Sequence, residues 1–286
     1  PLYYLLIFLG AILVPISISY LDMSYEMPYS FSEVILYFIF FAPFMVNFIF
    51  GSHLLQPLWS IGVEEIFYIF WAPLLKYLPL SITRISVILI LFKFFIVYFS
   101  HFLIDYELYI YLLGKLQFES MAVGALGAVW VFNYSEKINT YTFIFHPVSQ
   151  IILISLILIR LVFFDYLIDH VYIINLIHDT FIFKLILNFA FLWLIINLSL
   201  NQKSILKLKS RLLNLLGEIS YGIYMYHMII IFAIMLVFEE YLESIDELYA
   251  TLIFYFLVFS GTIFVSYVSK QYFENYFIHL KSKYRL

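Results

Sequence analysis

Residues Trp59 to Leu75 read WSIGVEEIFYIFWAPLL, a run apolar enough to cross a membrane except for two adjacent carboxylates, Glu64 and Glu65. A charged side chain at a bilayer centre costs roughly 2.5–3.5 kcal/mol on insertion scales. A chain that keeps two side by side is therefore expected to use at least one. On a helix Ser60, Glu64, Tyr68 and Trp71 fall at i, i+4, i+8 and i+11, which places them on one face. Glu65 lies about 100° further round. Two readings stand. The pair sits at an interfacial helix end or against a cation, or it lines a polar cavity. The hydroxyls and indole sharing the face favour the cavity.

Outward from this stretch the whole chain has the same character. Of its 286 residues 65% are hydrophobic and 12% charged, and the mean hydropathy is +1.00. That composition belongs to polytopic membrane proteins. Apolar segments fall at about 1–21, 34–50, 58–78, 85–104, 109–133, 148–164, 181–200, 212–238 and 249–269. Helices satisfy their own backbone in lipid. The expectation is an all-α, polytopic transmembrane helical bundle of about eight to nine membrane segments, a single domain over 1–286. The formal charge of −4 is small and scattered, which argues against a nucleic-acid partner. The lack of cysteine excludes disulfide and thiolate chemistry within these residues. The 33 Phe and 26 Tyr fit interfacial aromatic belts, so their abundance does not mark a cofactor site.

A second polar stripe lies late in the chain. Leu216 to Ile231 read LGEISYGIYMYHMIII, with Ser220, Tyr224 and His227 at i, i+4 and i+7. An imidazole on such a stripe either packs by bonding a neighbouring helix or acts on a hydroxyl, taking its proton or orienting it. A third stretch, Gln117 to Val129, reads QFESMAVGALGAV; Gly124 and Ala128 form a small-xxx-small pair suited to close helix packing. No metal-ligand spacing, glycine-rich phosphate loop or Gly-x-Ser-x-Gly elbow occurs.

These stretches carry a resemblance. Trp59, Ser60, Glu64, Glu65, Phe67 and Tyr68 match the signature Trp-Ser-Leu-x-x-Glu-Glu-x-Phe-Tyr of the acyltransferase 3 family, with Ile61 at the Leu position. Leu216, Gly217, Ile219, Ser220, Tyr221, Tyr224 and His227 match its late helix. The Gln117 stretch resembles a third family helix through Phe118, Gly124 and Ala128, but Gln117 stands where Arg is usual; Lys115 could substitute for it. Glu274 fits the closing segment, with Tyr276 in place of a Pro. The resemblance implies an integral membrane enzyme that moves an acyl group, acetyl first, from acyl-CoA to a sugar hydroxyl of a lipid-linked or surface glycan such as a polysaccharide or lipopolysaccharide. Acetyl-CoA would be a co-substrate, with no bound cofactor and no metal. Membrane lipids and the glycan would be its partners, with the oligomeric state left open, and the cytoplasmic (inner) membrane of a bacterium its place. It implies Glu64, Glu65 and His227 as catalytic residues and Trp59, Ser60, Tyr68, Ser220, Tyr224 and Gln117 as substrate contacts. Pro1, Leu2 and Tyr3 resemble the end of the stretch that leads into the family's third helix. The expectation is a chain lacking the first two helices, with the family's proposed His base upstream of Pro1.

The rival reading is a transporter or flippase in which Glu64, Glu65, Lys93 and His227 form an intramembrane path. No inverted repeat supports it. Lys203, Lys207, Lys209 and Arg211 form one basic stretch and Lys281, Lys283 and Arg285 another, both cytoplasmic by the positive-inside rule. Nine crossings would then start the chain outside, whereas the resemblance starts it inside. One segment should therefore be incomplete, either 34–50, with Pro43 and Asn47, or 109–133, with Lys115, Gln117 and Glu119. The second is favoured. Lys93 is central enough to pair with Glu64 or Glu65, while Arg160 and Lys184 read as snorkelling near helix ends. His53 and the adjacent pair His178–Asp179 are further polar positions, the latter too close for an HxxxD motif.

Overall fold

The computed structural model describes residues 1–20, 27–78, 81–103, 107–136, 143–177 and 180–283. The His178–Asp179 pair and Arg285 lie outside them. In chain order the helices are α1 Leu2–Tyr20, with a π turn at Leu9–Leu13, α2 Phe31–Ile39, α3 Pro43–Phe50, α4 Leu58–Tyr77, α5 Ile82–Leu103 and α6 Glu107–Lys115. They continue with α7 Phe118–Tyr134, α8 Pro147–His170, α9 Tyr172–Ile177, α10 Phe181–Leu200, α11 Arg211–Glu243 and α12 Glu247–Ser269, which runs through a π turn, Lys270–Glu274, into α13 Asn275–Lys283. Among the described residues seven helical runs are long and apolar enough to cross a membrane: α1, α4, α5, α8, α10, α11 and Glu247–Leu280. The protein is an all-α, multi-pass membrane bundle.

Both segments suspected from the sequence are interrupted. Segment 34–50 breaks at Phe41, whose φ of 57° is a left-handed conformation that a Phe adopts only when its surroundings hold it. The Phe41 ring lies 5.3 Å from that of Tyr3 and 6.1 Å from that of Tyr4, and Pro43 starts α3 without needing an amide hydrogen. Segment 109–133 breaks at Leu116–Gln117. There Lys93 of α5 donates to the carbonyls of Leu113 and Leu116, at 2.6 and 3.0 Å, which the end of α6 leaves unpaired. Glu119, 5% exposed, complements the first turn of α7. The donors of Lys93 thus go to a helix end, in place of the carboxylates considered from the sequence.

The chain divides into two compact units, 1–66 with 209–286, and 67–208. In the first, Leu2, Leu6 and Ala11 of α1, Val34 and Phe38 of α2, Val46 of α3 and Met225 and Tyr226 of α11 form one buried cluster with Leu55, Leu58 and Ile61. Tyr3 donates to the Phe38 carbonyl at 2.8 Å, and Tyr226 to Ser269 Oγ at 2.9 Å. Gly62 lets α4 approach the α2–α3 break: a Cβ there would sit 2.5 Å from the Phe41 carbonyl oxygen.

In the second unit α7 packs on α5 and α10. Gly127, rather than Gly124, is the close-packing glycine, because its Cα faces the Leu192 side chain whereas Gly124 faces open space among the described residues. Asn188 donates to Ser120 Oγ at 2.9 Å. Buried Gln150 and Asn197 tie the loop after α10 to the start of α8 through the Phe145 and Lys203 carbonyls and Ser204. Arg160 stands near the middle of α8, not near its end: the helix runs on to His170. Its guanidinium lies 3.1 Å from the centre of the Phe164 ring, and its Nε has no hydrogen-bond partner among the described residues.

Candidate active site

The two strong motifs meet inside the first unit. Ser60, in the first turn of α4, and Tyr224, midway along α11, place their hydroxyl oxygens 2.7 Å apart. Tyr224 Oη is also 3.0 Å from the Pro57 carbonyl, and Ser60 Oγ is 3.3 Å from it. A phenol has one hydrogen. Given to Pro57, it leaves Ser60 to donate to Tyr224, so both hydroxyl hydrogens are used within the protein. The pair ties the α4 entry to α11 and keeps Ser60 lone pairs as acceptors.

One turn further along α11, His227 is half-buried, its ring 5.8 Å from that of Tyr224. Its Nδ1 is 2.6 Å from the Tyr224 carbonyl oxygen. A carbonyl only accepts, so Nδ1 carries a hydrogen, and in the neutral form of the ring Nε2 is the acceptor. Nε2 makes no hydrogen bond among the described residues. That is the tautomer a proton acceptor needs.

Glu64 is exposed and Glu65 half-exposed on α4, and neither carboxylate is hydrogen-bonded among the described residues. Both lie within electrostatic reach of the Tyr221 phenol of α11, as does Glu274 of the π turn after α12. Tyr221 and Glu274 line a cavity of about 430 Å³ with Leu2, Phe277, Ile278 and Leu280. Glu274 Oε2 is 3.5 Å from Lys270 Nζ, and its buried Oε1 has no partner among the described residues. Both residues lie inside matched motifs, and their neighbourhood is set by helices distant in the chain.

The remaining candidates are placed as follows. Trp59 is half-buried beside Ser60. Ser220 is exposed and donates to the Gly217 carbonyl of its own helix at 2.9 Å, so its hydroxyl does not join the Ser60–Tyr224 pair. Tyr68 belongs to the C-terminal part of α4, in the second unit, where its ring lies 6.0 Å from that of Phe67. Gln117, also in the second unit, is exposed at the α6–α7 break, its backbone amide held by the Lys115 carbonyl. Among the described residues no three His, Cys, Asp or Glu side chains converge as metal ligands would.

His53, before α4, is 4% exposed. Its Nδ1 accepts the Leu55 amide at 3.2 Å and lies 3.1 Å from the Tyr29 hydroxyl, while Nε2 meets Asn47 Oδ1 at 2.6 Å. Burial pushes its pKa down to about 4. The ring is a neutral brace for the turn that feeds α4.

No curated protein and no solved structure matches the chain. The family model described as an acyltransferase domain matches residues 1–270, which contain every candidate of the first unit except Glu274, together with Tyr68 and Gln117. By that match over nearly its whole length, the chain belongs to the acyltransferase 3 family, membrane proteins associated with the acylation of surface glycans.

Proposed function

We propose that the protein is an O-acyltransferase of a bacterial cytoplasmic membrane, transferring an acetyl group from acetyl-CoA to a sugar hydroxyl of a lipid-linked or cell-surface glycan. In this reaction the hydroxyl oxygen attacks the thioester carbonyl carbon, the C–S bond breaks, and the hydroxyl proton passes through a base to the departing thiolate. Beside the family membership, the observation that carries the reading is His227, whose Nδ1 hydrogen is fixed on the Tyr224 carbonyl so that Nε2 is left to accept. Ser60 and Tyr224 hold α4 against that helix, and Glu64 and Glu65 supply charge to orient an imidazole or to accept hydrogen bonds from sugar hydroxyls. Tyr68, Ser220, Trp59 and Gln117 remain proposed substrate contacts.

Membranes containing the full-length protein, given labelled acetyl-CoA and the host glycan, should produce label in the glycan as an alkali-labile ester. His227→Gln, inserted to the same level, should reduce that label by at least about tenfold, the lower end of what a positioned general base contributes being a hundredfold. Label that appears at the wild-type rate in the variant removes His227 from the chemistry. No label with the wild-type protein overturns the reading itself.

A further inference from the structure

The C-terminal half of α11 borders two cavities that share Met235 and Glu239. One, of about 470 Å³, lies between α11 and the Ser52–Leu54 turn and is floored by Met228, Ile231, Phe232, Met235 and Leu236. The other, of about 350 Å³, lies between α11 and α12 and adds Glu243, Thr251 and Phe254. From Met228 to Glu243 the trough follows α11 for about 22 Å, at 1.5 Å per residue. Its inner floor is apolar and includes two methionines, which adapt to an irregular chain.

The polar rim has a single sense. Glu239 and Glu243 are exposed, make no hydrogen bond or ion pair among the described residues, and have no Lys or Arg among the side chains lining the trough. Ser52 Oγ donates to Gln56 Oε1 at 2.7 Å, and Thr251 Oγ1 to the Glu247 carbonyl at 2.8 Å, so each presents only lone pairs. His53 uses both ring nitrogens inside the protein. Apart from the Tyr255 phenol, the rim formed by the described side chains is all acceptors. Such a rim attracts a hydrogen-bond-donating cation and repels phosphate or pyrophosphate standing alone.

We infer that this trough binds a membrane lipid with a primary ammonium headgroup, an aminophospholipid, its acyl chain along Met228–Leu236 and its ammonium between Glu239 and Glu243. The charge disfavours a pyrophosphate-linked carrier relative to an ammonium headgroup, which separates this lipid from a lipid-linked acceptor.

The test is native mass spectrometry of the full-length protein titrated with phosphatidylethanolamine, phosphatidylcholine and phosphatidylglycerol of identical acyl chains. Phosphatidylethanolamine should be retained roughly fivefold more than either, as one or two exposed charge pairs allow. The double variant E239Q/E243Q should lose that preference while unfolding at the wild-type temperature in lipid-free detergent. Met235→Trp, which fills the trough and leaves the carboxylates, should lower retention of phosphatidylethanolamine. Equal retention of the three lipids, retention of phosphatidylcholine matching that of phosphatidylethanolamine, or a preference that survives E239Q/E243Q overturns the assignment. A stoichiometric dimer that excludes lipid would do so too, by assigning the trough to a second copy.

Discussion

At the scale of single residues, Glu64 and the Ser60–Tyr224 pair separate charge from framework. Glu64→Gln keeps shape and removes charge, so the protein should insert and fold. Turnover should fall at least about tenfold, equivalent to roughly 1.4 kcal/mol of transition-state stabilisation. Tyr68→Phe, which removes one hydroxyl, should lose less. Wild-type acylation by inserted Glu64→Gln protein would make Glu64 structural and Glu65 the next carboxylate to replace. The Ser60–Tyr224 hydrogen bond should show instead in stability. Polar pairs between membrane helices average about 0.6 kcal/mol and reach about 1.7. A double-mutant cycle of Ser60→Ala and Tyr224→Phe, read by unfolding in detergent, should give a coupling in that range. A coupling of zero would mean the two hydroxyls are neighbours without being linked.

At the scale of elements, the two broken segments and their glycines decide how closely helices approach. Gly62→Ala would drive a methyl group against the Phe41 carbonyl and Pro43, neither of which can rotate away. Overpacking of that kind costs about 1–3 kcal/mol, and the unfolding midpoint should drop accordingly. Gly124→Ala should be neutral or stabilising by up to about 1 kcal/mol, since its surroundings are open and Ala favours helix. A larger loss at Gly124 than at Gly62 would contradict this packing. The sequence marked Gly124 because of its spacing to Ala128, yet Gly127 is the glycine in contact. Small-residue spacing identifies a face that can pack closely; which member touches depends on helix rotation, a property of the partner. Arg160 departs from its expected place near a helix end for a related reason. Hydropathy ended its segment at Phe164, but α8 continues through Asp165 and Asp169 to His170.

At the scale of the whole molecule, pH and topology offer further measurements. His53 has a folded pKa of about 4 against an ordinary value of about 6.5. Its neutral form is the one the fold accepts, so the unfolded chain binds the proton more readily. Its contribution is present above about pH 6.5, declines as pH falls and is gone below about pH 4, a change of up to about 3 kcal/mol. Unfolding midpoints in detergent should fall across that window, and His53→Gln should flatten the slope. A wild-type slope unchanged by the substitution would assign the acid sensitivity to another group. Cysteines introduced at Lys207 and Lys283 should react from the same side of the membrane, because both stretches are basic. Reaction from opposite sides would overturn that topology.

Class and family were both legible in the order of residues. Unbroken apolar runs of about twenty residues select helix, which satisfies its own backbone in lipid, and WSIGVEEIFY with LGEISYGIYMYH carried the resemblance that the family match bore out. That order also determined which faces are polar, since the period of a helix is fixed. Which side chains meet depends instead on how the helices pack. Lys93 meets the end of α6 rather than a carboxylate of α4, Ser60 bonds Tyr224 while Ser220 turns to its own helix, and Glu274 joins Glu64 and Glu65 around Tyr221. Periodicity gives a side chain its direction about its own axis, but the rotation and depth of the neighbouring helix, set by packing across many residues, decide what it meets.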